Sequence, residues 1–394
     1  MNSDYGIKNN DLISSLSKDR RVIHSFAETG FDVPKTLSYI IERLKALGVE
    51  SHRLGRAGVV AVLGSGKPTV MLRADIDALP ILEESGESFS AVNGNMHACG
   101  HDLHAAMLLG SISILAKNKN LLKGRILFLF QPAEEILKGA LDIINSGLIE
   151  KYSPDIAFML HTIVSVPLPV GKFIVSSPGV SAPGACFFEV KIKGERSHGA
   201  MPHLGKNAIS ALPHIINMLE NMPNRDFTVS DDLILSFGNV SAGENYNIVA
   251  ENAVLKGTLR SPKKDTLEKA KQKVQLYTTK IAEVHDCTGS VEFASETPPL
   301  YNDANVSSFA YETAKELFGA DMVVYSSELG NSGGGSEDFS YYSKIIPSVM
   351  VGICAGNIND GYCYPLHNSK TVFDERAMIY GAQMYAGFAL NYLK

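Results

Sequence analysis

Arg125-Ile-Leu-Phe-Leu-Phe-Gln131 is the stretch from which the architecture can be read, and Pro132-Ala-Glu-Glu135 follows it directly. An unbroken apolar run from Ile126 to Phe130 has no alternation, which suits a strand covered on both faces. A helical stretch is expected from Glu135 to Ser146, ending at Gly147. Similar units flank it. Gly58–Leu63, Val70–Ala74 and Asp155–His161 read as strands. Leu37, Ile40, Ile41, Leu44 and Leu47 mark a helix, and Leu103–Ala116 marks another. Strands alternating with helices predict an α/β domain, a sheet with helices on both faces.

The pattern changes near Pro183. Gly184–Gly194 alternates, with Phe188, Val190 and Ile192 on one side and Glu189, Lys191 and Lys193 on the other. A helix is expected from Asn207 to Asn221, strands at Leu233–Val240 and Ala253–Arg260, a helix over Lys263–His285 and a strand at Ser290–Ala294. This β-α-β-β-α-β order predicts a small antiparallel sheet with two helices on one face. After Thr297-Pro298-Pro299 the α/β pattern resumes: a helix at Ser307–Phe318, a strand at Ser348–Ile353 and an amphipathic helix from Asp374 to Tyr392. The expected division is residues 1–182 with 298–394, interrupted by an inserted domain at 183–297.

Composition narrows the function classes. The chain has 394 residues, 45% hydrophobic and 20% charged, with a net charge of −6. That excludes disorder, collagen and coiled coil as its main character. It gives no footprint for nucleic acid or an anionic membrane. No apolar run approaches the ~20 residues of a membrane span. The start is polar, so no signal peptide is expected. The five cysteines are sparse and odd in number, which predicts reduced thiols and a cytoplasmic protein.

The densest cluster is Met96-His-Ala-Cys-Gly-His-Asp-Leu-His104. Thiolate and imidazole ligate zinc and related metals, and Gly100 permits the tight turn that brings Cys99 and His101 together. The competing reading is a buried thiol with hydrogen-bonded histidines. His97 and His104 are candidates for orienting a ligand, and Asp102 for a helix N-cap. In Glu134-Glu135, one carboxylate can hold a cation while its neighbour moves a proton. Alternatively, both sit in the first turn of a helix, where the dipole favours them. Asp75, Asp77, His161 and His367 fall at the ends of, or after, other strands. Together these residues outline a binuclear metal hydrolase site. Ser197-His198, Asn247, Arg260 and the glycine turn ending at Gly335 lie in or near the inserted segment. Arg260 suits a substrate carboxylate, and the glycines suit close backbone approach. Surface polarity explains these residues equally well.

RADIDALP at 73–80, MHACGHDLHAAMLLG at 96–110, QPAEE at 131–135, SHGAMPH at 197–203, GTLR at 257–260, GSEDFS at 335–340 and PLHNSKTVFDE at 365–375 occur in one order. In these motifs the chain resembles the metal-dependent amidohydrolases that include hippurate hydrolase, N-acyl-amino-acid deacylases and indole-acetyl-amino-acid hydrolases. These belong to the wider aminoacylase and carboxypeptidase superfamily. The resemblance implies a catalytic α/β domain and an inserted ferredoxin-like lid that forms a homodimer. It implies two divalent ions (Mn, Zn, Co or Ni) held by Cys99, His101, Glu135, His161 and His367. Glu134 would be the general base and His198 a catalytic group brought over the site. Asn247, Arg260 and Gly335 would bind substrate, and Asp75 would lie near the metals. The chain departs from the family's pattern at Phe26-Ala-Glu28, Asn207-Ala208 and Asn247-Ile-Val-Ala250.

The function implied is hydrolysis of a small-molecule N-acyl amino acid by an activated water. A dipeptidase or exopeptidase with the same site is the alternative. A thiol hydrolase with Cys99 as nucleophile is disfavoured, because catalytic Cys and His residues are usually far apart in sequence. A non-catalytic binding protein is disfavoured by the complete set of ligands and base.

Overall fold

The computed structural model describes residues 9–330 and 335–394. It divides into two compact units. One comprises Met1–Ser181, Tyr301–Gly333 and Tyr341–Lys394; the other comprises Ala182–Leu300 and Gly334–Ser340. The helices are α1 (Asn9–Phe26), α2 (Pro34–Ala46), α3 (His101–Lys117), α4 (Gly139–Asn145), α5 (Leu148–Tyr152), α6 (Ala208–Asp226), α7 (Lys264–Val284), α8 (Ala304–Phe318), α9 (Ser340–Ser343) and α10 (Ala377–Tyr392). The strands are β1 (Ser51–Leu54), β2 (Gly58–Gly64), β3 (Thr69–Asp75), β4 (Arg125–Gln131), β5 (Ile156–Ile163), β6 (Phe173–Val175), β7 (Gly179–Ala182), β8 (Gly184–Lys193), β9 (Ile234–Ala242), β10 (Asn252–Ser261), β11 (Thr288–Thr297), β12 (Leu300–Asn302), β13 (Val323–Tyr325) and β14 (Ser348–Cys354). No helix among the described residues is long and apolar enough to cross a membrane.

The first unit is built on an eight-stranded mixed sheet in the order β1-β2-β4-β3-β5-β14-β6-β13. Its centre is parallel: β3 runs with β4 and β5, and β5 with β14. All seven residues of β3 are buried, as are Ile126 to Gln131 of β4. The apolar run therefore forms a central strand covered on both faces. α10 differs from its expected amphipathic form. It is buried nearly all round, because α1, α3 and α8 pack against it as well as the sheet. α4 also differs, starting at Gly139 rather than Glu135. Ala133 and Leu137 adopt left-handed backbone, and the Lys138 and Gly139 N–H groups both donate to the Ala133 carbonyl. The two carboxylates therefore sit on a compact turn ahead of the helix, not in its first turn.

The second unit is a four-stranded antiparallel sheet in the order β11-β8-β10-β9, with α6 and α7 packed on it. Phe188, Val190 and Ile192 of β8 meet Leu255 and Leu259 of β10, Ile215 and Leu219 of α6, and Leu267 and Val274 of α7. This is the small antiparallel sheet with two helices expected from the element order, in the ferredoxin-like arrangement that the resemblance implies. Asn207 caps α6 by accepting the Ile209 N–H at 3.0 Å, so Asn207-Ala208 starts this helix by ordinary capping. Glu28 likewise accepts the Lys35 and Thr36 N–H groups at the start of α2.

α1 escaped the sequence reading because its inner face mixes apolar and charged residues. Leu12, Leu16 and Ile23 are buried, and so are Asp19, Arg20 and His24. Arg20 Nε donates to Asp102 at 3.1 Å. His24 donates from Nδ1 to Asp102 at 2.9 Å and from Nε2 to Glu83 at 3.0 Å. Burial opposes the His24 charge, but Asp102 and Glu83 outweigh it and raise the group from 6.5 to about 9. The folded value lies above the unfolded one, so the contribution is full below about pH 6.5 and is lost as pH rises through about 9. Its size is roughly 2–4 kcal/mol. Thermal melts from pH 6 to 10 are expected to show this loss in the wild-type protein, and His24→Gln should flatten it.

Candidate metal centre

The centre of the sheet opens where two strands part. β3 pairs with β4 as far as Asp75↔Gln131, but with β5 only as far as Arg73↔Met159. Open α/β sheets bind ligands in such crevices at the carboxyl ends of their strands. β3 delivers Asp75 and leads into Asp77, β4 leads into Glu134 and Glu135, and β5 delivers His161. The turn into α3 adds Cys99 and His101, with Gly100 between them in left-handed backbone at φ 82°. A Cβ there would overlap the Thr162 hydroxyl and crowd the Phe373 ring, so the turn requires glycine. Gly100 is also the residue preceding α3, so Asp102 is not its N-cap. Asp102 is instead the buried partner of Arg20 and His24.

All five residues expected as ligands come together. Cys99, His101 and His161 form one group whose ligand atoms lie within 4.8 Å of one another. Cys99, Glu135 and His367 form a second, and His101, Glu134 and Glu135 a third. Cys99 Sγ is 3.5 Å from His161 Nε2, and His101 Nε2 is 3.8 Å from Glu135 Oε1. His367 Nε2 is 3.6 Å from the other Glu135 oxygen. Cys99, His101 and Glu135 each belong to two of these groups, which suits two adjacent ions sharing ligands.

Hydrogen bonds set which imidazole nitrogens face inward. His101 donates from Nδ1 to the Asp77 carbonyl at 2.8 Å, and His161 from Nδ1 to the Thr162 carbonyl at 2.8 Å. Each ring therefore turns Nε2 to the centre. His101 Nε2 is buried and has no hydrogen-bond partner among the described residues. A buried ring nitrogen so placed, beside a thiol and carboxylates, is one that a divalent cation would satisfy in place of a proton. The donor set fits zinc or its first-row neighbours. Burial lowers His161 to about 3, so it is neutral as a ligand must be. Burial pushes the Cys99 thiol up, a cost that a bound cation reverses. Burial opposes charge on His101, yet Asp75 and Cys99 raise it. His367 is held at φ 64°, an uncommon conformation for a side-chain-bearing residue beside a functional site.

Asp77 is the residue the sequence reading underused. Its Oδ1 accepts the Glu134 N–H at 3.0 Å, its Oδ2 accepts the Glu135 N–H at 3.2 Å, and its carbonyl holds His101. Asp75 accepts from His104 Nδ1 at 2.5 Å and from Arg73 at 2.7 Å, and lies 3.8 Å from His101 Nε2. His104 Nε2 in turn accepts the Thr162 N–H at 2.8 Å. His97 is buried, with no hydrogen-bond partner at either ring nitrogen among the described residues. His198, Asn247, Arg260 and Gly335 all belong to the second unit. His198 is exposed and its Nδ1 accepts the Ala200 N–H at 3.0 Å, so Nε2 carries the proton outward. Asn247 is exposed, and its carbonyl accepts the Gly199 N–H at 2.8 Å. Arg260 is half-buried and donates to Ser336 at 2.8 Å. Gly335 is exposed, while the preceding glycines Gly333 and Gly334 lie outside the described residues.

The sequence pattern of peptidase family M20/M25/M40 matches residues 71–391. The chain belongs to this family. It is 32% identical to IAA-amino acid hydrolase ILR1-like 2 of Arabidopsis thaliana, over 98% of this chain and 87% of that one. It is 31% identical to hippurate hydrolase of Campylobacter jejuni, over 98% of both. Among solved structures it resembles the Bacillus subtilis YXEP protein, a dinuclear metal binding peptidase from the M20 family. The TM-score is 0.78 and the identity 27%, covering 98% of this chain and 99% of that one. As a member of the M20 family, the chain is a metal-dependent hydrolase of amide bonds.

In this M20 chain the clamp by Asp77 has a measurable consequence. Asp77→Ala leaves two amide donors unanswered and releases the Glu134-Glu135 turn. The affinity of the metal-stripped protein for Zn²⁺, read by calorimetric titration, is expected to fall about 10–100-fold.

Proposed function

We propose that the chain hydrolyses the amide bond of N-acyl amino acids, with Glu134 as general base and two divalent ions held by Cys99, His101, Glu135, His161 and His367. The placement of Glu134 carries this reading. Its carboxylate lies 4.0 Å from His101 Nε2, one residue from Glu135, with its amide held by Asp77. The names of the relatives in Arabidopsis thaliana and Campylobacter jejuni support the substrate class.

Bound ions supply Lewis acidity, polarising the scissile carbonyl and acidifying water. Glu134 takes the proton of the attacking water and returns it to the departing nitrogen. Mostly buried, it remains close to the reacting atoms and away from competing solvent. His198 presents Nε2–H as a donor for the charge that develops on the carbonyl oxygen, a role worth ~3–4 kcal/mol in comparable sites. It acts from its own chain or from a second copy. Arg260 makes no ion pair among the described residues, and burial lowers its pKa. A substrate carboxylate is the natural partner for a half-buried guanidinium. Asn247 and Gly335 are proposed as further polar and backbone contacts to substrate. A cytoplasmic homodimer formed through the second unit belongs to the same proposal. The edge strand β9, with Ile234 and Val240 exposed, supports that interface.

Glu134→Ala is expected to lower kcat by about 10²–10⁴-fold while metal content by elemental analysis stays near wild type. A wild-type rate in that variant would remove the assignment. Arg260→Ala is expected to raise KM for an N-acetyl or N-benzoyl amino acid about 10–100-fold. That loss should be absent with the corresponding N-acyl amine lacking a carboxylate. Comparing N-acyl amino acids with matching dipeptides on protein reconstituted with Mn, Zn, Co or Ni tests the substrate class. A preference for dipeptides would make the chain a peptidase.

A further inference from the structure

The split between β3 and β5 has a specific filler. Tyr385, on α10, is wholly buried, and its hydroxyl stands between the two strands. It donates to the Arg73 carbonyl at 2.7 Å and accepts the Leu160 N–H at 3.1 Å. A closed parallel ladder would join those two backbone groups directly. The register, carried on from Arg73↔Met159, would then place Asp75 opposite His161. Two hydrogen bonds in place of one widen the strand separation by about 3 Å. That widening occurs immediately before Asp75 on one strand and His161 on the other.

The ring of Tyr385 has little freedom. It meets the edge of Phe158 on β5, with centroids 5.4 Å apart. One turn earlier on α10, Gly381 allows close approach to α3 and β5. A Cβ there would overlap Met107 Sδ and come within 3.4 Å of Leu160. α3 begins with His101. One face of α10 therefore touches the three elements that carry Asp75, His101 and His161.

We propose that Tyr385 is a positioning residue for the metal centre. Its hydroxyl holds β3 and β5 apart at the point of divergence and so sets the spacing between the groups those strands present. It acts through the backbone of the two strands. The proposal rests on the metal-dependent reading of the site.

Tyr385→Phe keeps the ring and removes only the hydroxyl. The test is Zn²⁺ and Mn²⁺ titration of the metal-stripped, folded proteins at 25 °C, followed by steady-state kinetics. The control is Phe388→Leu, a buried change on the same helix that leaves the two strand groups bridged. Tyr385→Phe is expected to weaken metal binding about tenfold or more, to lower kcat and to leave KM within about twofold. Phe388→Leu is expected to lower thermal stability without moving the metal Kd. Unchanged metal affinity in Tyr385→Phe would overturn the proposal, and so would equal weakening in both variants. Failure of the wild-type protein to bind either metal would instead overturn the reading of the site. Should Tyr385→Phe not fold, Tyr385→His, which keeps a polar atom on a ring, replaces it in the same titration. Wild-type affinity there would count against a requirement for the hydroxyl.

Discussion

A buried cluster of imidazoles, carboxylates and a thiol is tolerable only when each group has a fixed partner or a cation between them. That constraint organises the first unit. Arg73 and His104 hold Asp75, Arg20 and His24 hold Asp102, and backbone carbonyls hold the outer nitrogens of His101 and His161. The groups left facing one another are those whose chemistry suits a metal. The neighbouring charges are neutralised by protein, so the electrostatic demand is concentrated at one place.

The same constraint explains why remote chain segments converge there. α1 contributes two cations to Asp102, and α10 contributes a hydroxyl to the split in the sheet. Neither element carries a ligand. Their burial is needed because polar groups removed from water must be satisfied from somewhere in the chain. The left-handed residues near the site, Ala133, Leu137 and His367, fit this picture. Their backbone strain is offset by turns that point carboxylate and imidazole inward.

How far this was legible depended on the range of the interaction. Arg125–Gln131 was readable because a strand buried on both faces needs an unbroken apolar run, and Gly184–Lys193 because one covered face produces alternation. Cys99-Gly-His101 and Glu134-Glu135 stood out as candidates because they are compact in sequence, whereas the full proposed ligand set, with the isolated His161 and His367, came from the resemblance in the motifs. α1 was not, since its buried face is half charged and satisfied by partners remote in sequence, at Arg43, Glu83, Asp102 and Glu375. The turn at Glu134 was mistaken for a helix start because its geometry is imposed by Asp77, 57 residues away. Asp77 itself looked like one more acidic residue after a strand.

The departures from the family's pattern follow from the same local physics. Asn207-Ala208 still caps α6, because a short polar acceptor at the N-cap is what the orphan N–H groups require. Phe26-Ala-Glu28 keeps the carboxylate that closes the start of α2. In Asn247-Ile-Val-Ala250, the Val249 N–H still pairs with the Ser197 carbonyl beside His198. At each of these places the hydrogen bond that the cap or turn requires is made. The clustered thiol, imidazoles and carboxylates stand in the first unit, around the divergence of β3 and β5. The departures of this chain thus fall on caps and turns, away from the clustered thiol, imidazoles and carboxylates of the first unit.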